Sequence, residues 1–109
     1  MAFRAAVVGC GRIGSTIDDE HRSRPQFRYP WAHAPAYIEA DGVELVAASD
    51  LRPAQLEDFK ERWGVTALYT DFMEMVNQEQ PDIVSVTTAA PDRADVVVRL
   101  AESGHVKAI

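Results

Sequence analysis

The sequence has little with which to cross-link itself, enter a membrane or bind nucleic acid. Its 109 residues contain one cysteine, Cys10, which excludes an internal disulfide and suits a reducing compartment. No apolar run is long enough to span a bilayer, and no signal-peptide pattern is present. The 11 basic residues form no run and are outnumbered by 17 acidic ones. We therefore expect a cytoplasmic protein that binds neither membranes nor nucleic acid.

The feature that points to a function is a glycine-rich segment directly after an apolar run. The segment V-V-G-C-G-R-I-G places Gly9, Gly11 and Gly14 in the spacing G-x-G-x-x-G. In dinucleotide-binding domains the first glycine permits a tight turn, the second lets the backbone approach a pyrophosphate, and the third lets the next helix pack on the strand. That helix would open near Ile13 with unpaired N–H groups that attract phosphate. Our predicted cofactor-binding residues in this segment are Gly9, Gly11, Arg12, Ile13 and Gly14.

An acidic residue that ends the next predicted strand matches the second part of this fingerprint. The mostly apolar run 43–50 closes with Asp50, whose carboxylate can accept hydrogen bonds from the adenosine ribose and repel a 2′-phosphate. This favours NAD as the cofactor. Arg52 could pair with such a phosphate, so NADP is the alternative. In a second interpretation Asp50 only caps the helix that begins near Pro53.

Strand and helix patterns alternate along the whole chain. Apolar spacing and capping residues predict the following elements: a helix from Pro53 to Trp63 ended by Gly64, a strand at 67–69, a helix capped by Thr70 or Asp71, a strand at 83–88, a helix at 92–102 and the beginning of a fifth strand at 105–109. Short connections between them imply parallel strands and right-handed crossovers. We therefore predict one domain over residues 1–109, a Rossmann-like doubly wound α/β fold with strand order 3-2-1-4-5.

This topology brings a second segment to the glycine loop. The β-branched run 83–88 is expected at the centre of the sheet, buried on both faces. Its end would meet the glycine loop at the switch point between the first and fourth strands, where ligands bind in such sheets. We assign Thr87 and Thr88 to cofactor binding, with ending the strand as their alternative role.

The spacing within the fingerprint indicates an insertion. Gly14 and Asp50 are 36 residues apart, against about 20 in the usual fingerprint, and the excess lies at about 17–32. Pro25 and Pro30 predict that the first helix breaks and resumes near 33–40. The alternating aromatic residues of this loop either cover the pyrophosphate, meet a further domain, or pin a surface excursion; they are Phe27, Tyr29 and Trp31.

Together these motifs resemble the amino-terminal half of the Gfo/Idh/MocA family of NAD(P)-dependent oxidoreductases. The resemblance is carried by V-V-G-C-G-R-I-G, H-A-P-A-Y-I-E-A-D-G-V-E-L-V-A-A-S-D, R-W-G-V followed by Y-T-D-F, and P-D-I-V-S-V-T-T. It implies hydride transfer between a nicotinamide and a hydroxyl-bearing carbon of a sugar, polyol or related compound. His33 aligns with a histidine common in the family's first helix, where packing is the expected role.

The resemblance also implies parts that this chain does not contain. The family has a Glu-Lys-Pro motif after the fifth strand and then a second α/β domain with further catalytic residues. Lys107 belongs to the predicted fifth strand and is not that lysine, while Ala89 and Arg93 stand where the family often has proline and histidine. We expect a truncated domain, inactive alone, that meets a small-molecule substrate only in a full-length protein. Its uncovered sheet edge predicts self-association or marginal stability. A non-catalytic dinucleotide sensor or interaction domain is the alternative.

Two further groups of residues are assigned no chemistry. The charged run that begins at Asp18 has no compact metal-ligand spacing, so we predict a solvated surface and no metal. Cys10 lies near a helix N-terminus, which favours a reactive thiolate. Because no histidine or carboxylate can be assigned to it as a catalytic partner, we predict a small spacer.

Overall fold

The computed structural model describes residues 2–24 and 28–109, and these form a sheet with helices on both faces. The elements in chain order are β1 (Phe3–Val8), two short helical turns (Arg12–Thr16 and Ile17–Glu20), α1 (His33–Glu39), β2 (Val43–Ser49), α2 (Pro53–Trp63), β3 (Ala67–Tyr69), α3 (Phe72–Glu79), β4 (Ile83–Val86) and α4 (Ala90–Ser103). All strand pairs are parallel, in the order β3-β2-β1-β4. The predicted Rossmann-like α/β architecture is confirmed. None of the described helices combines the length and apolarity needed to cross a bilayer.

The sheet separates two apolar cores because successive residues of a strand point to opposite faces. In β1, Ala6 and Val8 belong to the core beneath α3 and α4, whereas Val7 belongs to the core beneath α1 and α2. Phe59 is the largest fully buried side chain of the second core, and Met75 and Leu100 are the largest of the first. A doubly wound sheet therefore holds the carboxyl ends of β1, β2 and β4 together at one edge.

Local capping signals place the helices as predicted. α2 has Pro53 at its first position and ends at Gly64, which adopts a left-handed conformation with φ of 71°. α3 is capped by Asp71, whose carboxylate accepts hydrogen bonds from the amides of Met73 and Glu74. The helices on either side of β3 thus begin and end where their capping residues indicate.

The predicted fifth strand and the central position of the fourth are wrong. β4 is an edge strand of the four-stranded sheet, and beyond it Ala108 forms an isolated parallel bridge with Ile83. The N–H groups of Lys107 and Ala108 both donate to the carbonyl of Asp82, at 2.8 and 3.1 Å. The Val84 N–H in turn donates to the carbonyl of Ala108 at 3.0 Å, and the pairing is limited to this one bridge.

The insertion leaves the first helix as short turns, as the prolines predict. The Arg12–Thr16 turn is π-helical and the Ile17–Glu20 turn is a 3-10 helix, and regular α-helix resumes only at His33. Asp18, 7% exposed, accepts a hydrogen bond from the backbone N–H of Trp31 at 2.8 Å. This bond holds the end of the insertion against its beginning. Pro25 and Phe27 lie outside the described residues.

Candidate functional site

The three glycines of the loop have different steric surroundings. Gly9 has φ of 100°, and a Cβ there would lie 2.7 Å from the carbonyl oxygen of Thr87. A Cβ on Gly14 would collide with the carbonyl oxygen of Gly9 and lie 2.8 Å from Thr87 Oγ1. A Cβ on Gly11 would meet only the Arg52 guanidinium, 3.9 Å away. Gly9 and Gly14 are therefore required by the fold, whereas the space beside Gly11 is open to a ligand.

Asp50 is fixed at the base of this loop. Its Oδ2 accepts a hydrogen bond from the Cys10 amide at 2.9 Å, and its Oδ1 accepts one from the Arg52 amide at 2.8 Å. The Arg52 side chain lies 3.6 Å from Oδ1, and the Asp50 side chain is only 8% exposed. The alternative role of Asp50 as the cap of α2 is wrong, because the N-cap residue of that helix is Arg52 and no side chain caps it. The carboxylate instead joins the end of β2 to the glycine loop.

Cys10 is buried behind the loop and is chemically quiet. Its thiol is fully buried and contacts the carbonyl oxygen of Ser49 at 3.5 Å. Burial, and secondarily the negative charge of Asp50, raise the pKa of Cys10 to about 12. Because the thiolate is the nucleophilic form, this residue is a spacer as predicted.

Two clefts open on either side of the glycine loop. The larger cleft, of about 630 Å³, extends along the end of β2 and includes Gly9, Gly11, Asp50, Arg52 and Phe72 in its walls. Arg99 is also in its wall, and its guanidinium lies 4.8 Å from the centre of the Phe72 ring. The ring and the guanidinium give the far end of this cleft a flat apolar and cationic wall.

The smaller cleft, of about 450 Å³, lies on the other side of the loop and has a different lining. Its walls are Arg12, Ile13, His33, Val86, Thr87, Thr88, Ala89 and Arg93. Arg12 and the residues after β4 are shared by the two clefts. An extended ligand that crosses the loop would therefore contact both.

The two threonines after β4 have different positions. Thr87 Oγ1 donates to the carbonyl oxygen of Gly9 at 2.7 Å, so this side chain secures the glycine loop. Thr88 Oγ1 is buried and has no hydrogen-bond partner among the described residues. Its carbonyl oxygen accepts a hydrogen bond from Arg93 at 2.9 Å. Because buried hydroxyls are rarely left unpaired, Thr88 is the threonine that a ligand would satisfy.

His33 contributes to the smaller cleft through a contact that sequence reasoning missed. Its Nδ1 lies 2.7 Å from Ser85 Oγ, and the hydroxyl of Tyr37 lies 2.7 Å from the same Oγ. Burial lowers the pKa of His33 below its usual value, so the neutral ring is favoured. The motif resemblance aligns His33 with a histidine of the family, but no local signal in the sequence indicates a partner 52 residues away.

The structure gathers the predicted site residues with one exception. Gly14 lies beneath the loop, where it permits close packing and borders neither cleft. Tyr29 and Trp31 of the insertion pack on each other, with ring centres 5.9 Å apart, and border neither cleft. This geometry favours a pinned surface excursion over a cover for the pyrophosphate.

Lys107 lies outside both clefts and pairs with Asp82 at 3.2 Å. Among the described residues no group of three or more histidine, cysteine, aspartate or glutamate side chains is placed to hold a metal ion. The arrangement offers backbone amides, hydroxyls and guanidinium groups to a ligand. Such groups can bind and orient an anionic ligand at the loop.

Comparison with known proteins places this geometry in a family. A family model described as "Oxidoreductase family, NAD-binding Rossmann fold", that of Gfo/Idh/MocA, matches residues 3–107. D-apiose dehydrogenase of Paraburkholderia graminis is 28% identical over 102 residues, which is 94% of this chain and 23% of that protein. The crystal structure of myo-inositol 2-dehydrogenase from Lactobacillus plantarum has 27% identity and a TM-score of 0.71, over 95% of this chain and 26% of that one.

A third relative was crystallised with a nicotinamide cofactor. The WlbA dehydrogenase of Chromobacterium violaceum, in complex with NADH and UDP-GlcNAcA, has 29% identity and a TM-score of 0.68, over 94% of this chain and 25% of that chain. The present chain thus spans about a quarter of the length of the relatives it matches.

Proposed function

We propose which part of a dinucleotide each cleft binds, because the chain belongs to the Gfo/Idh/MocA oxidoreductase family and residues 3–107 match its NAD-binding domain. The larger cleft takes adenosine, the glycine loop takes the pyrophosphate, and the smaller cleft takes the nicotinamide riboside. The observation that carries this proposal is the free space beside Gly11 in the wall of the larger cleft, next to Arg12, which borders both clefts. A pyrophosphate can approach the main chain there without meeting a side chain.

The other residues of the site fit the same ligand. Asp50 lies beside the larger cleft with one amide bonded to each carboxylate oxygen, which leaves lone pairs for ribose hydroxyls. Arg12 lies at the loop and forms a 2.6 Å ion pair with Glu20 on the exposed surface, a pair that a phosphate could replace. The unpaired hydroxyl of Thr88 is an acceptor or donor for the ligand's second half. The ribose hydroxyls, phosphates and carboxamide of a dinucleotide supply the matching polar atoms.

The fixed position of Asp50 favours NAD over NADP. A 2′-phosphate would approach a carboxylate that is held in place by two amides and is nearly buried. The Arg52 guanidinium already faces Asp50, with Nε 3.6 Å from Oδ1, so part of its charge is offset by that carboxylate. We therefore propose NAD as the cofactor, with NADP bound more weakly because of charge repulsion.

The activity of a full-length protein is a wider proposal. Relatives named as dehydrogenases of apiose and myo-inositol suggest a sugar, polyol or related hydroxy compound as the substrate. When bound, the nicotinamide would accept or supply a hydride. The present residues would bind and orient the cofactor, and substrate contacts would come mostly from a second domain outside this chain.

Ligand fragments can test the division between the clefts. ADP-ribose should shift the backbone NMR signals of Gly11 and Arg52, and nicotinamide mononucleotide should shift those of Ile13 and Arg93. Adenosine alone should leave the second pair unchanged. The proposal fails if ADP-ribose at millimolar concentration shifts none of the amides of the glycine loop.

A further inference from the structure

A hydrogen-bonded row of three side chains lies beneath the smaller cleft. His33 and Tyr37 are one turn apart on α1, so both side chains lie on the same face of the helix. Both contact Ser85 Oγ at 2.7 Å, and Ser85 lies in β4 with 7% of its surface exposed. His33 also forms part of the wall of the smaller cleft. Nδ1 of the ring is therefore anchored, and the same residue borders the space for a ligand.

Counting protons sets the direction of these hydrogen bonds. The Ser85 hydroxyl has one proton and can donate to only one of its two partners. Tyr37 is a phenol and thus a stronger acid than serine, so it is the better donor to Ser85. Ser85 then donates its own proton to Nδ1 of His33. This direction requires the neutral ring with its proton on Nε2, in agreement with the lowered pKa of His33.

We propose that His33 is a ligand-binding residue whose Nε2–H donates a hydrogen bond to an oxygen of the nicotinamide riboside half of a dinucleotide in the smaller cleft. Tyr37 and Ser85 are positioning residues that select this tautomer and fix the plane of the ring. The inference rests on the proposed function, because it assigns the occupant of the smaller cleft from the division of the dinucleotide given above. Because the hydrogen-bonded hydroxyls are buried, the imidazole of His33 has little rotational freedom, and its N–H group is oriented before the ligand arrives.

Two substitutions at His33 separate ligand binding from packing. Asparagine can place a polar atom near the position of Nδ1 but does not reach that of Nε2, whereas the longer glutamine side chain can carry an N–H group toward the position of Nε2. Calorimetric titration of the 109-residue chain should show that His33→Asn weakens NADH binding about threefold to tenfold, the usual effect of one neutral hydrogen bond. The affinity for ADP, which lacks the whole nicotinamide riboside half, should stay unchanged, and His33→Gln should recover part of the NADH affinity.

The outcomes distinguish this inference from the proposed function. Equal loss of affinity for NADH and ADP would indicate a structural role for His33 and overturn the inference alone. Unchanged NADH affinity in His33→Asn would do the same. If the wild-type chain binds neither ligand, the proposed function fails and the inference fails with it. Circular dichroism and thermal unfolding of each variant establish that the compared proteins are folded.

Nitrogen-15 NMR tests the positioning residues without a ligand, on the wild-type protein and on two variants. Nitrogen-15 NMR of the imidazole at pH 7.5 or above, about one unit over the unperturbed histidine value, should show His33 with its proton on Nε2. Ser85→Ala removes the donor to Nδ1 and should produce a mixture of the two tautomers. Tyr37→Phe should weaken the preference without abolishing it. A proton on Nδ1 in the wild-type protein would mean that His33 donates to Ser85, and would overturn the proposal.

Discussion

Gly11 and Gly14 are three residues apart, yet a side chain added at Gly14 would collide with its neighbours and one added at Gly11 would not. Gly14 faces the carbonyl oxygen of Gly9 and Thr87 Oγ1, so it determines how closely the first helical turn approaches β1. Gly11 has a negative φ of −88° with ψ of −141°, and free space around it. The same residue type thus serves packing at one position and ligand access at the other.

We expect alanine substitutions at these two positions to have opposite effects. Gly14→Ala should lower the free energy of unfolding by about 1–3 kcal/mol, because the added methyl group overpacks the turn. Gly11→Ala should change it by less than about 0.5 kcal/mol while weakening ADP-ribose binding at least tenfold, because the methyl group occupies the space of the pyrophosphate. Urea denaturation and calorimetric titration measure the two effects. Equal destabilisation by both substitutions would contradict this account of the loop.

At the scale of elements, the insertion depends on a buried carboxylate. The Asp18 side chain satisfies the backbone N–H of Trp31 and so joins the two ends of the inserted segment. A second contact attaches the segment to α2, where Arg62 forms a 2.7 Å ion pair with Asp19. The surface ion pair is expected to contribute little, whereas a donor left unpaired by the loss of Asp18 is costly.

Asp18→Ala should therefore loosen the insertion without unfolding the sheet. Loss of the acceptor should cost about 1–3 kcal/mol locally and speed tryptic cleavage after Arg22 or Arg28, both of which are exposed. Asp18→Asn keeps an acceptor oxygen and serves as the matched control. If alanine and asparagine variants are cleaved at the wild-type rate, the hydrogen bond does not hold the insertion.

Elements with local signals could be predicted from the sequence, and contacts between distant residues could not. Pro53, Gly64 and Asp71 fix helix ends through their own backbone preferences or short-range hydrogen bonds, so both ends of α2 and the beginning of α3 are predicted correctly. The segment at 105–109 has strand-like composition, but whether it pairs depends on the Asp82 carbonyl just before β4, more than 20 residues earlier. Its expected ladder is replaced by a single bridge at Ala108.

The candidate site divides in the same way. The glycine spacing and Asp50 were readable because the fingerprint is a local device with one physical purpose. The contact of His33 with Ser85 joins residues 52 positions apart, and neither residue carries a signal for the other. The unequal roles of Thr87 and Thr88 likewise depend on which hydroxyl meets the Gly9 carbonyl.

At the scale of the whole molecule, the single thiol reports on unfolding. Cys10 is fully buried and burial raises its pKa to about 12, so a thiol reagent at pH 8 should react with it only when the protein opens. The labelling rate should rise with urea in parallel with unfolding, and a saturating dinucleotide should slow it by binding the folded state. Rapid labelling of the native protein, at the rate of a free cysteine, would contradict the burial of the loop.

The central claim is that this chain by itself binds NAD across two clefts that share Arg12 of the glycine loop. Calorimetric titration of the purified chain with NADH and NADPH, on the wild type and on Asp50→Ala, tests it most directly. We expect saturable 1:1 binding of NADH, at least tenfold weaker binding of NADPH, and a smaller difference between the two in the variant, because the carboxylate that repels the 2′-phosphate is gone. Absence of binding of both cofactors to the folded wild-type chain at millimolar concentration would contradict the account.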